Sequence, residues 1–118
     1  MNVVIAGAGV VGTAVAEQLS LEGHQIVLID NDRRVLRRAE DRLDVLCIQG
    51  NASTPSVLKK AGIEQAHMVI AVTPVDEVNI VVCMLARRVG VKTRLVRLRN
   101  IEYARDPIFP FLKESGIE

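Results

Sequence analysis

The segment VVIAGAGVVGTAVAEQLSLEGHQIVLID, residues 3–30, sets two apolar runs either side of a glycine-rich turn and a helical pattern. The runs are Val3 to Ala6 and Gln25 to Ile29, and the second ends on the acid Asp30. Strand, tight turn, helix and strand at this spacing make a βαβ unit that carries the G-x-G-x-x-G dinucleotide fingerprint. In the loop Gly7-Ala8-Gly9-Val10-Val11-Gly12 each glycine has its own task. Gly7 permits the tight turn, Gly9 removes a Cβ that would block a pyrophosphate, and Gly12 lets helix and strand pack closely. The helix then points its unpaired N–H groups and the positive end of its dipole at the phosphates.

Outward from this unit the chain keeps alternating. The first helix, Val10 to Leu21, is expected to place Val11, Ala14, Val15 and Leu19 on its inner face, with Gly23 as its stop. Asp32 is placed to cap a second helix that carries Val35, Leu36, Ala39 and Leu43 inward. Its arginines (Arg33, Arg34, Arg37, Arg38, Arg42) read as a solvated face, with Arg37 and Asp41 paired at i,i+4. A third strand covers Val45 to Ile48, and Thr54 with Pro55 starts a short third helix that Gly62 ends. The fourth strand runs from His67 to Val72. Thr73 and Asp76 then have capping-box spacing at the head of a fourth helix, which is apolar nearly all round from Ile80 to Ala86. Such a helix needs cover on both sides, from the sheet and from a partner helix or second subunit. Gly90 stops it, and a fifth strand covers Thr93 to Leu98. Pro107 and Pro110 leave the tail room for at most a short helix, begun by Asp106. Five parallel strands with right-handed crossovers give an α/β, Rossmann-like, doubly wound sheet of order 3-2-1-4-5.

Composition narrows the function. The 118 residues suit a single nucleotide-binding domain, 1–118, long enough to bury about two thirds of its unfolded surface. Apolar residues make up 49% but aromatics only 3%, so the core is aliphatic, the usual filling of a parallel sheet covered on both faces. A net charge of +1 supplies no global field for nucleic acid or an anionic membrane. No aromatics interleave with the arginines, so nucleic acid is not the expected partner. No apolar run reaches the roughly 18 residues of a membrane span, and no direct membrane insertion is expected. Cys47 and Cys83 sit singly in apolar stretches and read as free thiols of a cytoplasmic protein rather than a disulfide or metal site.

In this strand order, ligands bind outside the carboxyl ends of the strands, at the switch point between strands one and four. Four loops converge there: Gly7 to Gly12, Asp30-Asn31-Asp32, Gly50 to Ser53 with Asn51 and Ala52, and Thr73 to Asn79. A carboxylate at Asp30 suits both ribose hydroxyls of an adenosine and would repel a 2′-phosphate, which argues for NAD over NADP. It does not separate NAD from ATP or ADP. Asn51 is placed to approach an adenine edge. Asp76, Glu77 and Asn79 lie in the first turns of the fourth helix, near a second ribose or a terminal phosphate. For the two acids, dipole compensation is an equal reading. Arg97, at the end of strand five, suits a phosphate or a carboxylate of another subunit. His24 and His67 fall at the opposite edge, with no triad or metal partners, and Tyr103 lacks a lysine four residues on. No catalytic residues and no metal ligands are assigned, so the chain is read as binding a nucleotide without reacting it. The alternative class is the cofactor domain of an NAD-dependent dehydrogenase.

The runs GAGVVGTAVAEQL, LIDND, QGNAS, AVTPVDEVNIVVC and RLRN-x-EY together resemble the nucleotide-binding RCK (KTN) domain of the TrkA-like potassium-uptake regulators. The resemblance extends from Val3 to about Tyr103. It implies a cytosolic regulatory subunit at the inner face of the membrane that binds NAD(H), or ATP/ADP, and assembles as a homo-oligomer. Its implied partner is a membrane potassium transporter or channel. Carried over by position, Gly7, Gly9 and Gly12 match the phosphate loop, and Asp30 the ribose acid. Asn51 matches the loop beside the adenosine, and Thr73, Asp76, Glu77 and Asn79 the loop over the far half of the ligand. Arg97 matches an arginine near the phosphates. Two departures accompany it: the proline-containing tail, and a stop at Glu118 where the family's sixth strand would begin, as in a fragment or a short member.

Overall fold

The computed structural model describes residues 1–100 and 102–105. Aliphatic runs flanked by glycine turns become the strands β1 (Asn2–Ala6), β2 (Gln25–Asp30), β3 (Leu46–Gln49), β4 (Met68–Ala71) and β5 (Thr93–Val96). Between them lie α1 (Val10–Leu21), α2 (Arg33–Arg42), α3 (Pro55–Lys60) and α4 (Asp76–Arg88). A 3₁₀ turn at Ile63–Gln65 follows α3, and one helical turn, α5 (Glu102–Arg105), follows β5. All pairings are parallel and the order is β3-β2-β1-β4-β5, as the alternating pattern predicts.

The pleat of β1 divides the core in two. Val3 and Ile5 join Ile26, Leu28, Leu36 and Ala39 beneath α1 and α2. Val4 and Ala6 join Val69, Ala71, Val82 and Ala86 on the α3 and α4 side. Every β1 side chain from Val3 to Ala6 is buried, as a central parallel strand requires. The loops at the carboxyl ends therefore stand on a rigid strand, with β2 in register on one side and β4 on the other.

Four expectations need correction. The inner face of α1 is Gly12 and Ala16, with Val15 and Leu19 partly buried; Val11 is 40% exposed and Ala14 is also outside. The cause is Gly12, which has to face the Gly7 carbonyl and so rotates the helix away from Val11. The capping box does not form: the N-cap of α4 is Val75, and Asp76 turns across to the chain beyond β5. Arg37 and Asp41 do not meet; on α2 the ion pair is Arg34 with Asp32 at 3.6 Å. Strand β5 ends at Val96, not Leu98, because α4 takes the backbone groups of the residues that follow. Asp32 caps α2 as expected, accepting the Arg34 N–H at 2.9 Å. Thr54 is the N-cap of α3, with Pro55 as its first residue, though the threonine side chain makes no capping bond. Asp106, Pro107 and Pro110 lie outside the described residues. Among the described residues no helix is long and apolar enough to cross a membrane.

Candidate functional site

Gly7 begins the glycine loop at φ +109°, a conformation open to glycine, with its N–H donated to the Ile29 carbonyl at 2.8 Å. A Cβ on Gly7 would lie 2.9 Å from the Thr73 nitrogen, and one on Gly12 would lie 1.8 Å from the Gly7 oxygen. At Gly9 a Cβ would meet nothing within 4 Å. The packing of the chain therefore demands glycine at Gly7 and Gly12 but not at Gly9. What Gly9 leaves open is the space in front of α1. There the N–H groups of Val10, Val11 and Gly12 precede the first bond of the helix, Thr13 N–H to the Gly9 carbonyl at 3.0 Å. No side chain caps this end, and no acid sits in its first turn. Val10 projects at 88% exposure.

Asp30, at the end of β2, is held from both sides. One carboxylate oxygen accepts the Ala8 N–H at 2.9 Å and the other accepts the Asp32 N–H at 2.8 Å. Each oxygen keeps a second lone pair for a hydroxyl donor. The bonds also lock the glycine loop to the head of α2. The Asp30 carbonyl accepts the Gly50 N–H at 3.0 Å, which brings in the loop carrying Asn51. There Asn51 Oδ1 accepts from the Ser53 N–H (3.0 Å) and Ser53 hydroxyl (2.7 Å), an Asx turn that leaves the residue exposed. Ala52 is buried in the core and Asn31 is exposed. Asp32 has its carboxyl lowered, chiefly by the Arg34 N–H it accepts.

On the other flank the run from Thr73 to Asn79 is wired to the chain beyond β5. Asn79 is fully buried. Its Oδ1 accepts from the Thr73 N–H (2.9 Å) and hydroxyl (2.7 Å), and its Nδ2 donates to the carbonyls of Thr73 (3.0 Å) and Arg97 (2.9 Å). That satisfies its full complement of two donors and two acceptor sites. The buried Asp76 carboxylate accepts the Arg99 N–H at 2.9 Å and the Asn100 N–H at 2.8 Å. Glu77, one residue on, is exposed and accepts the Tyr103 hydroxyl at 2.5 Å. That bond is the main reason the Tyr103 phenol is raised, since ionisation would set two anions together. The Arg97 N–H reaches the Ala71 carbonyl at 2.9 Å, while its Nε is buried without a hydrogen-bond partner.

All the sequence-derived positions thus fall on one rim, in the order Asn51, Asp30, glycine loop, Thr73 and Arg97. Within it Asp76 and Asn79 turn inward, whereas Gly9, Asp30, Asn51 and Glu77 keep groups accessible. Sequence reasoning gave Tyr103 and Asn100 no part in the site. The Asn100 side chain accepts the Glu102 N–H at 3.0 Å and starts α5. The signal for both was the run Arg-x-Arg-Asn-x-Glu-Tyr, which contains them and carries part of the family resemblance. A groove of about 430 Å³ leads from Gly9 and Val10 down between α1 and α2, past Thr13, Glu17, Arg38 and Arg42. A larger cleft, about 630 Å³, lies at the amino ends of β1 to β3 beside His24 and Asp44, far from the glycine loop. The two histidines are occupied at that amino edge: His24 Nδ1 faces the Met1 amine at 3.1 Å, and His67 Nδ1 accepts the Asn2 N–H at 3.0 Å.

Known proteins resemble this chain in sequence and fold. The TrkA-N domain is matched over residues 3–108. The chain is 40% identical over 107 residues to the Trk system potassium uptake protein TrkA of Haemophilus influenzae, covering 90% of this chain and 23% of that protein. With the protein of the same name from Azorhizobium caulinodans it shares 45% over 104 residues, 87% of this chain and 23% of the other. It therefore spans under a quarter of the length of these relatives. Among solved structures, the Kef CTD of Shewanella denitrificans in AMP-bound form superposes with a TM-score of 0.76. The identity is 19%, over 100% of this chain and 70% of that one, a likeness of fold. By the matched domain and these identities, the chain belongs to the TrkA-N family.

Proposed function

We propose that this chain is a nucleotide-binding regulatory domain of a membrane potassium transporter or channel, with no reaction to perform on its ligand. The ligand is NAD(H) in the first instance, with ATP or ADP as the alternative. The observation that carries the reading is the open space at Gly9 before an uncapped helix end, beside an Asp30 carboxylate already held in place. Orphan N–H groups favour an anion there, and the remaining lone pairs of Asp30 suit the vicinal hydroxyls of a ribose. Gly9 to Gly12 would hold the pyrophosphate, Asp30 the adenosine ribose, Asn51 the adenine side, and Glu77 and Arg97 the far half. Asp76 and Asn79 shape the loop that presents Glu77 and Arg97. The AMP-bound neighbour supports an adenosine ligand, and the names of the relatives support a role in potassium uptake. Nucleotide binding regulates a partner only through different affinities for two of its states. Calorimetric titration with NAD, NADH, ATP and ADP in parallel tests the reading. Saturable heat from at least one, with no nicotinamide redox turnover on hydroxy acids, is expected. Robust hydride transfer would make the chain a dehydrogenase cofactor domain instead.

A further inference from the structure

The two motif runs that set this chain apart from other glycine-loop domains are halves of one clasp. Asp76 and Asn79 of α4 hold the backbone of Arg97, Arg99 and Asn100 through buried groups. Those pins are internal and offer a ligand nothing. The outermost bond differs. Glu77 is exposed, stands in the first turn of α4, and holds the Tyr103 hydroxyl across 26 residues of sequence. Thr73, at the base of the same turn, lies against Gly7 of the phosphate loop. Tyr103 in turn belongs to α5, where the chain leaves the sheet.

We propose that the Tyr103–Glu77 hydrogen bond is a nucleotide-sensitive latch: closed, it fastens α5 to α4, and a nucleotide in the crevice opens it. The proposal rests on the nucleotide-binding reading above. Phosphates laid across the helix ends bring negative charge toward the turn that bears Glu77, and sugar hydroxyls there compete with the tyrosine for the same carboxylate. The competition exchanges the protein donor for the ligand, and the phosphate charge disfavours the carboxylate's closed position. Asp76 and Asn79 stay bonded throughout, so the loop keeps its shape while α5 is freed. The raised Tyr103 phenol agrees with a carboxylate held against it.

The chain has one tyrosine and no tryptophan, so Tyr103 is a spectroscopic label placed by the sequence itself. Protein carrying ¹³Cζ-tyrosine gives a single phenol resonance. Glu77→Ala, an exposed substitution outside the core, marks its position with the latch open. ADP and NADH are then titrated by calorimetry and by this resonance together. The expected result is saturable heat with the wild-type resonance moving toward the Glu77→Ala position. Heat with a stationary resonance overturns the latch and leaves the nucleotide site standing. No heat from these two, nor from NAD or ATP, overturns the nucleotide reading, and the latch with it. Tyr103→Phe supplies the second readout. Removing the competing donor should tighten binding by about fivefold, the equivalent of one net hydrogen bond. A tyrosine with a purely structural role would leave affinity unchanged or lower it, and that result also overturns the latch.

Discussion

Gly9 and Gly12 stand three residues apart and meet opposite surroundings, so the same substitution separates ligand from fold. At Gly12 a methyl group would strike the Gly7 carbonyl, a backbone atom with no room to give. Gly12→Ala should lower stability by about 3 kcal/mol or more, seen as a fall in melting temperature. Gly9→Ala should keep the wild-type melting temperature and, on the proposed function, lose nucleotide affinity in calorimetry, because its methyl enters only the open space where the pyrophosphate would lie. Asp30 carries both roles at once. Asp30→Ala should weaken adenosine ligands by about 1.5–3 kcal/mol and also lower the melting temperature, since the Ala8 and Asp32 N–H groups lose their acceptor. Unchanged NADH titration would remove Asp30 from the site. Cys47 sets a pH limit on the fold. Burial first, and Glu40 second, push its thiol up to about 11 from an ordinary 9.0. The folded chain thus prefers the neutral thiol, and its contribution is complete below pH 9 and lost as pH rises toward 11. Denaturant midpoints should fall over that window, and Cys47→Ser should flatten the decline.

At the scale of elements, what could be read beforehand depended on whether the cause was local. Strands β1 to β5 and their order follow from aliphatic runs and glycine stops, signals carried within each segment. Helix α2 was legible in its inner face and its Asp32 cap, both set by local sequence, although its expected Arg37–Asp41 pair does not form. Helix α1 was legible in extent but not in rotation. Its inner face is decided by one approach, Gly12 to the Gly7 carbonyl, and Val11 is displaced as a result. Spacing suggested a capping box for Thr73 and Asp76, yet the Thr73 hydroxyl turns to Val75 and Asn79 while Asp76 serves a distant partner. The buried amide of Asn79 takes Thr73, and the β5 exit takes Asp76. Periodicity along one segment holds no information about a bond that spans 23 or 24 residues. The same holds for Tyr103, visible in sequence only as the end of the run Arg-x-Arg-Asn-x-Glu-Tyr. The tight turn at Gly7, the close approach at Gly12 and the place of Asp30 beside them were legible because these residues lie within one βαβ unit.

Across the whole molecule, the sheet buries both of its faces, and part of the apolar surface left outside lies on α4. Val82, Cys83 and Ala86 pack inward, while Val81 remains 37% exposed and Met84 46% exposed. Leu85 packs against the core at the boundary, so a charge placed there would test the fold rather than the surface. Met84 is the discriminating position. Lysine has about the same helix propensity as methionine and carries a comparably long stem, so Met84→Lys should leave the melting temperature of a dilute monomer unchanged. If α4 meets a second copy of the chain, the same change places two like charges in an apolar contact and should convert oligomers to monomers in sedimentation. A net charge of +1 gives no long-range repulsion to oppose association of the wild-type chain. Oligomers that survive Met84→Lys would locate the contact away from α4. A wild-type chain that sediments as a monomer would mean that these residues alone do not assemble, in keeping with relatives about four times as long.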